Sequence, residues 1–291
     1  MTITVSASQV DTFLHSLRCY WWAYIRKIQL ASPNEYLMWG SAVHKGLEHL
    51  YQGSSLEECM AAVEEAGYVD DLERLAMLGG WRSPDLLLGV LEAYRDGPYK
   101  SILKKFKVLD TEQAVSVPLS DDAFWRGRLD LVLEDKESGK ISIMDFKTSG
   151  KKVDSSYYSD NFSNDLQMTS YHWMGQQTYD DQFDGVLIGA MQTSKRIMFK
   201  SAEFPAVRDN WQILEFLMTM DTLVPQIAHA LDVGPKLLED GYTTSNIEVV
   251  REFPFCYGYS ENFCDYNHLN WCAPELREPT IEALYQPKEY R

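Results

Sequence analysis

The chain has 291 residues, with 27 Lys and Arg against 43 Asp and Glu, for a formal net charge of −16. That length holds one large or two small domains with a real core, and 45% hydrophobic residues is too rich for disorder. The charge excludes a broad basic surface that coats duplex DNA, though not a confined basic groove. No apolar run reaches ~18 residues, so no membrane span is expected. Met1 to Val5 lack the features of a signal peptide, which predicts an intracellular, cytoplasmic protein in which disulfides are not expected.

Ser6-x-x-Gln9 is a capping-box pattern, and Val10, Phe13, Leu14 and Leu17 follow at helical spacing. A helix is predicted to run from there through Cys19 and Tyr24, ending before Ser32-Pro33-Asn34. A second covers Tyr36 to Tyr51, and a third opens at the Ser55-x-x-Glu58 capping box and stops at Gly67. Ser83-Pro84 opens a fourth, with Leu87, Val90, Leu91 and Tyr94 on one face and a stop at Gly97-Pro98. The period then changes to that of strands: Val108 to Leu119, Phe124 to Leu133 and Ile141 to Phe146. The polar turn 134–140 suits antiparallel neighbours. A helix from Asn164 to Tyr179 and an apolar strand from Gly185 to Met191 come next. Ser194-Lys195-Arg196 reads as a turn into a strand from Ile197 to Lys200, before a long helix from Val207 to Leu231. The tail after Tyr242 is irregular and holds three of the five cysteines. The simplest architecture is one α/β domain: a helical part over 1–100, a mixed-sheet core flanked by helices over 105–235, and a cysteine-rich tail over 242–291 that closes on the first helix.

The chemistry concentrates in Gly127-Arg128-Leu129-Asp130 and Asp145-Phe146-Lys147-Thr148. Alternation along a strand puts Asp145 and Lys147 on one face and Phe146 on the other. Two carboxylates in a half-buried sheet repel and lose hydration, which a divalent cation relieves; oxygen ligation suits Mg²⁺ or Mn²⁺. A lysine beside them can hold an attacking water and stabilise charge on a phosphate. An isolated Asp-x-Lys is more often an ordinary surface ion pair, so the surrounding sequence has to decide.

Gly-x-x-Asp followed by Asp-x-Lys-Thr resembles the PD-(D/E)xK nuclease superfamily, in its RecB-like branch. The branch carries two further signatures, and both have counterparts here: Gly40-Ser41-Ala42-Val43-His44 and Gln167-Met168-Thr169-Ser170-Tyr171. The resemblance implies a restriction-endonuclease-like α/β fold, with His44, Asp130, Asp145 and the Phe146 carbonyl as metal ligands. It makes Lys147 catalytic and sets Gln167 and Tyr171 beside it, orienting the water or the phosphate. Glu112 takes a supporting place and Glu48 a local pairing. The implied activity is Mg²⁺- or Mn²⁺-dependent DNA hydrolysis, as an exonuclease on single-stranded or end-bearing DNA. A non-catalytic DNA-binding or assembly subunit, and a CRISPR-adaptation-type nuclease acting in a complex, are the competing readings. A protein partner or a homo-oligomer is compatible with each.

Cys256, Cys264 and Cys272 are spaced by seven residues on each side, and Cys19 stands far upstream. They resemble the one-plus-three cysteines of the AddB-type and CRISPR-associated iron–sulfur exonucleases, which implies a [4Fe-4S] cluster tying the two chain ends together. Both gaps are wider than the family's usual trio, so zinc and buried thiols stay open. Cys59 reads as core. Lys151, Lys152, Arg126, Arg128, Lys195-Arg196, Lys104-Lys105 and Lys107 are the basic residues placed to meet DNA. Trp21, Trp22, Trp39 and Trp173 could stack on bases, but core packing is their commoner use.

Overall fold

The computed structural model describes residues 2–31, 34–195, 199–239, 265–266, 269 and 276–288, the side chains of 237–239 excepted. Two compact units emerge: one from 34–117 and 126–216, the other from 1–33, 118–125 and 217–291.

The larger unit begins with α3 (Glu35–Tyr51), which Asn34 caps by accepting the Tyr36 N–H. α4 (Leu56–Glu65) has both halves of the Ser55/Glu58 capping box in place. α5 (Tyr68–Met77) follows where no helix was expected. α6 (Pro84–Tyr94) starts as predicted, with the Ser83 side chain accepting from the Leu86 N–H. It does not stop at Gly97-Pro98. A π-helical turn, Arg95–Tyr99, carries the chain past Pro98 into α7 (Lys100–Lys105); the wider turn tolerates a residue that cannot donate a backbone hydrogen bond.

The long strands β3 (Phe106–Ser120) and β4 (Ala123–Asp135) pair, and β4 runs antiparallel to β5 (Ile141–Ser149), as the polar turn required. β5 lies parallel to β6 (Phe183–Gln192). Parallel neighbours need a crossover, here α8 (Ser156–Asp160) and α9 (Leu166–Tyr179), the latter capped by Asp165. β7 (Lys200–Ala206) completes the sheet antiparallel to β6. It is displaced from the strand expected over 197–200, of which 197 and 198 lie outside the described residues. Leu47, Leu87, Val90, Leu91, Tyr94, Phe146 and Cys59 share one buried cluster, so Cys59 is core. Each large side chain buried there contributes about 1.5–3 kcal/mol.

In the smaller unit β1 (Ile3–Val5) pairs in parallel with Ala123–Trp125 of β4. The first helix is not continuous. α1 (Ala7–His15) ends at Ser16, which turns extended (φ −165°) and caps α2 (Leu17–Tyr20) by accepting the Cys19 N–H. The Ser6 cap forms, but Gln9 donates its side chain to the Tyr20 hydroxyl at 2.9 Å instead of closing the box. A π-helical turn, Trp21–Ile25, leads to β2 (Ile28–Leu30). After α10 (Asn210–Glu239), which spans both units, α11 (Arg277–Leu284) feeds β8 (Tyr285–Pro287), antiparallel to β2. Arg26 grips Glu278 through two 3.0 Å hydrogen bonds. Among the described residues no helix is long and apolar enough to cross a membrane.

Candidate active site

All six residues singled out for chemistry, His44, Asp130, Asp145, Lys147, Gln167 and Tyr171, fall in the larger unit. His44 comes from α3, Asp130 from β4, Asp145 and Lys147 from the central strand β5, and Gln167 and Tyr171 from α9. Gly127 explains the glycine of Gly-x-x-Asp: a Cβ there would lie 2.9 Å from Met174 Cε and 3.3 Å from the Tyr171 ring. Its absence lets α9 settle directly on β4.

Asp130 is fixed from two sides. Its Oδ2 accepts the Phe146 N–H at 2.7 Å and lies 3.3 Å from His44 Nδ1. Phe146 turns its ring into the core, stacked on Tyr51, as alternation required. Lys147 Nζ sits 2.7 Å from Asp145 Oδ2 and donates to Gln167 Oε1 at 2.8 Å. Gln167 Nε2 donates to the Tyr171 hydroxyl at 2.9 Å, and that hydroxyl donates to the Arg128 carbonyl at 2.7 Å. The i, i+4 pair on α9 therefore forms a chain of bonds whose free end grips the lysine.

Glu112 occupies a more central place than sequence reasoning gave it. One donor atom from each of His44, Glu112 and Asp130 falls within a 4.8 Å group. Glu112 has φ +52°, a left-handed conformation costly for a residue with a side chain, inside β3. Such outliers cost on the order of 1–3 kcal/mol and persist where the surroundings over-determine them. The sequence signals were an acid within a strand, in Asp110-Thr111-Glu112, and the resemblance, in which an acidic residue often precedes the Gly-x-x-Asp strand and which gave Glu112 only a supporting place. Arg128 Nη1 neutralises it in part from 3.3 Å.

The electrostatics are those of unbalanced anions. Burial pushes the Asp145 carboxyl up to about 6, and neighbouring Asp130 adds to the rise despite the pull of Lys147. Glu112 is also raised, by burial and then by Asp130. Burial would raise Asp130 too, but His44, the Phe146 N–H and Lys147 outweigh it and hold that carboxyl low. His44 and Lys147 are raised, since their carboxylate neighbours overcome the burial that would lower them. Asp145 is 1% exposed, and its Oδ2 lacks a well-directed hydrogen bond although Lys147 is close. A divalent cation fits this set: carboxylate oxygens with one imidazole, a buried Asp145 whose only close cation among the described residues is Lys147, and Asp145 and Glu112 held above their ordinary range. His44, Glu112 and Asp130 are the group that could hold it, with Asp145 on the adjacent strand.

Glu48 pairs with Lys45 at 2.9 Å, the local role expected of it. Lys105, Lys107 and Lys152 meet Asp135, Glu134 and Asp154. Trp22, Trp39 and Trp173 are buried, so packing claims them. In the smaller unit Cys19 is buried in an apolar cluster with Trp22, Ala23, Ile28, Tyr266, Leu269 and Tyr285. Cys256, Cys264 and Cys272 lie outside the described residues, as does Arg196.

A family model described as the PD-(D/E)XK nuclease superfamily matches residues 4–242. The solved structure of a Eubacterium rectale protein named "Putative exonuclease" is similar, at 14% identity over 79% of this chain and 81% of that one, with a TM-score of 0.47. A second structure, of the protein SSO0001, is 14% identical over 55% of this chain and 70% of its own, with a TM-score of 0.25. No curated protein matches the chain in sequence.

Proposed function

Because the chain belongs to the PD-(D/E)XK nuclease superfamily, whose members hydrolyse nucleic acid with divalent metals, we propose that it is a Mg²⁺- or Mn²⁺-dependent deoxyribonuclease. On this reading it acts as an exonuclease on single-stranded or end-bearing DNA, in recombination, repair or phage DNA processing. The observation that carries it is Lys147, held between Asp145 and the Gln167–Tyr171 chain beside the His44–Glu112–Asp130 group.

A bound cation supplies charge neutralisation at the phosphate and acidifies a water. His44, Glu112, Asp130 and Asp145, with the Phe146 carbonyl, are its proposed ligands. Lys147, its pKa raised by Asp145, stays an ammonium at neutral pH, so it donates to the attacking water oxygen or to the phosphate. Gln167 and Tyr171 spend their polar atoms on keeping that ammonium in place. Hydrolysis is an in-line displacement: the water oxygen bonds to phosphorus and releases its proton to bulk water as the bond to the leaving sugar oxygen breaks, and that oxygen takes up a proton from bulk water.

The test incubates the protein and Mn²⁺ with single-stranded, blunt linear duplex and covalently closed circular DNA. Loss of the linear forms with the circle intact is expected. Cleavage of the circle would make it an endonuclease, and cleavage of none would sink the enzyme assignment in favour of a binding or assembly role.

The proposal includes a [4Fe-4S] cluster on Cys19, Cys256, Cys264 and Cys272. Its support is that Tyr266 and Leu269, from the stretch between Cys264 and Cys272, pack in one cluster with Cys19. An anaerobic preparation should be brown and contain iron. A colourless protein with zinc, or without metal, rejects the cluster.

A further inference from the structure

A second cluster of cationic and aromatic side chains lies in the larger unit, apart from the metal-binding group. A cavity of about 350 Å³ is lined by Tyr36, Trp81, Arg82, Gly150, Ser194 and Lys195. Arg82 is its centre. The guanidinium lies 4.5 Å from the Tyr36 ring centroid and 4.4 Å from that of Trp81, with Glu35 bonded to one end. Although the residue is 3% exposed, its Nε has no hydrogen-bond partner among the described residues. Lys195 is exposed and enters no ion pair among them.

Burying a guanidinium with an unpaired donor is costly even with Glu35 bonded to its other end. Tyr36 is 63% exposed, so a ring that braces Arg82 still offers surface to solvent. Stacking faces, two cations and the Ser194 hydroxyl are the chemistry that binds a nucleotide: a base on the rings and a phosphate on the cations. The faces serve only an unpaired base, because a duplex keeps its bases stacked on one another.

Position ties the cavity to the cleavage site. Gly150 follows Lys147 by three residues at the end of β5, about 10 Å at ~3.3 Å per strand residue. Tyr36 precedes His44 by eight residues on α3, about 12 Å along the helix. At a stacked rise of ~3.4 Å per nucleotide, that is about three nucleotides, and fewer if the strand is extended.

We propose that this cavity is a subsite for one unpaired nucleotide of the strand being cut, within about three nucleotides of the phosphate at Lys147. Tyr36 and Trp81 stack its base, while Arg82 and Lys195 hold its phosphate. The inference rests on the nuclease reading and deepens it, since it makes single-stranded ends the preferred substrate.

The test measures steady-state cleavage of an end-labelled thymidine oligonucleotide in Mn²⁺ by the full chain and by the Tyr36→Ala and Lys195→Ala variants. Both residues are exposed, so the fold should tolerate their loss. Each variant is expected to raise KM about tenfold, the size of one stacked base or one phosphate contact, with kcat little changed. Oligonucleotides with a single abasic site, moved stepwise over the first four positions, should raise the parent's KM at one position only. Tyr36→Ala should remove that dependence. If the parent cleaves DNA and both variants match it in KM, or if KM rises as much on blunt duplex as on single strands, the subsite is refuted and the nuclease stands. If the parent cleaves no DNA at all, the nuclease reading fails and takes the subsite with it.

Discussion

Replacing Asp145 by Asn should disarm the protein and stabilise it. In the metal-free fold the Asp145 carboxyl is pushed from an ordinary 3.8 to about 6, mainly by burial and secondarily by Asp130. Each factor of ten in proton affinity is about 1.4 kcal/mol, so holding this group ionised at pH 8 costs the fold about 3 kcal/mol. The attraction of Lys147 is already contained in that figure, because it acts on the same ionised form. Asn has the shape of the neutral acid and escapes the cost. At about 2–4 °C per kcal/mol, the thermal midpoint should rise by roughly 6–12 °C.

The sign of the pH dependence makes the test specific. A carboxyl whose folded pKa lies above its unfolded one leaves the folded state with more bound protons between about 4 and about 6. The parent's stability must then fall as pH rises through that window, and the deficit is complete above it. The Asn variant lacks this fall, so the two proteins should agree near pH 4 and separate by pH 8, both in EDTA. Mn²⁺ at a hundred times its dissociation constant adds about 2.7 kcal/mol, which should close most of the gap for the parent and less of it for the variant. Thermal unfolding followed by circular dichroism at the two pH values, with and without Mn²⁺, reads every arm. An equal advantage for Asn at pH 4 and pH 8, or none at either, would refute the view of Asp145 as an anion waiting for a cation.

Lys147→Met should lower DNA cleavage by at least about a hundredfold, the usual loss of one charge-stabilising donor, while Mn²⁺ binding by calorimetry stays intact. Glu112→Gln should weaken Mn²⁺ about tenfold or more. Mn²⁺ should also bind tighter at pH 8 than at pH 6, with proton release at the lower pH, because His44, raised from 6.5, and Asp145, at about 6, must shed protons to bind it. Unchanged affinity in either experiment would remove the residue concerned from the ligand set. Gly127→Ala should cost on the order of 1 kcal/mol, since its Cβ would meet Met174 Cε at 2.9 Å. Met174 is buried and its own loss is costly, so the check is a double-mutant cycle in thermal unfolding: Gly127→Ala and Met174→Ala together should cost less than the sum of the two single losses if the close approach is the cause.

What the sequence revealed follows from which forces act locally. The β4–β5 pair was legible because alternation and a polar turn are properties of neighbouring residues, and the order of the four motifs carried the superfamily resemblance. The break at Ser16 was not, because the apolar spacing continues across it and only the serine's cap for α2 marks the change. β7 runs over 200–206 rather than the 197–200 expected from the Ser194-Lys195-Arg196 turn, and it contains Pro205; β7 ends the sheet order, where a missing N–H is tolerated. Glu112 was legible as an acid but not as a ligand, since its direction depends on a left-handed backbone at a non-glycine residue. Gln167 and Tyr171 were found at the right spacing, but the spacing alone could not show that they hold Lys147 in place.

The net charge of −16 follows the same logic. An acidic surface repels duplex DNA, so affinity has to come from confined places. The structure offers two in the larger unit: a group of anions that becomes attractive to phosphate once a cation neutralises it, and a cavity in which Arg82 and Lys195 stand beside aromatic rings. On the proposed reading, the first would take any phosphodiester and the second would select an unpaired base. A chain with this charge that holds DNA only where both are satisfied would discriminate ends and single strands from duplex by exclusion as much as by contact, and its KM for single strands should climb steeply with salt.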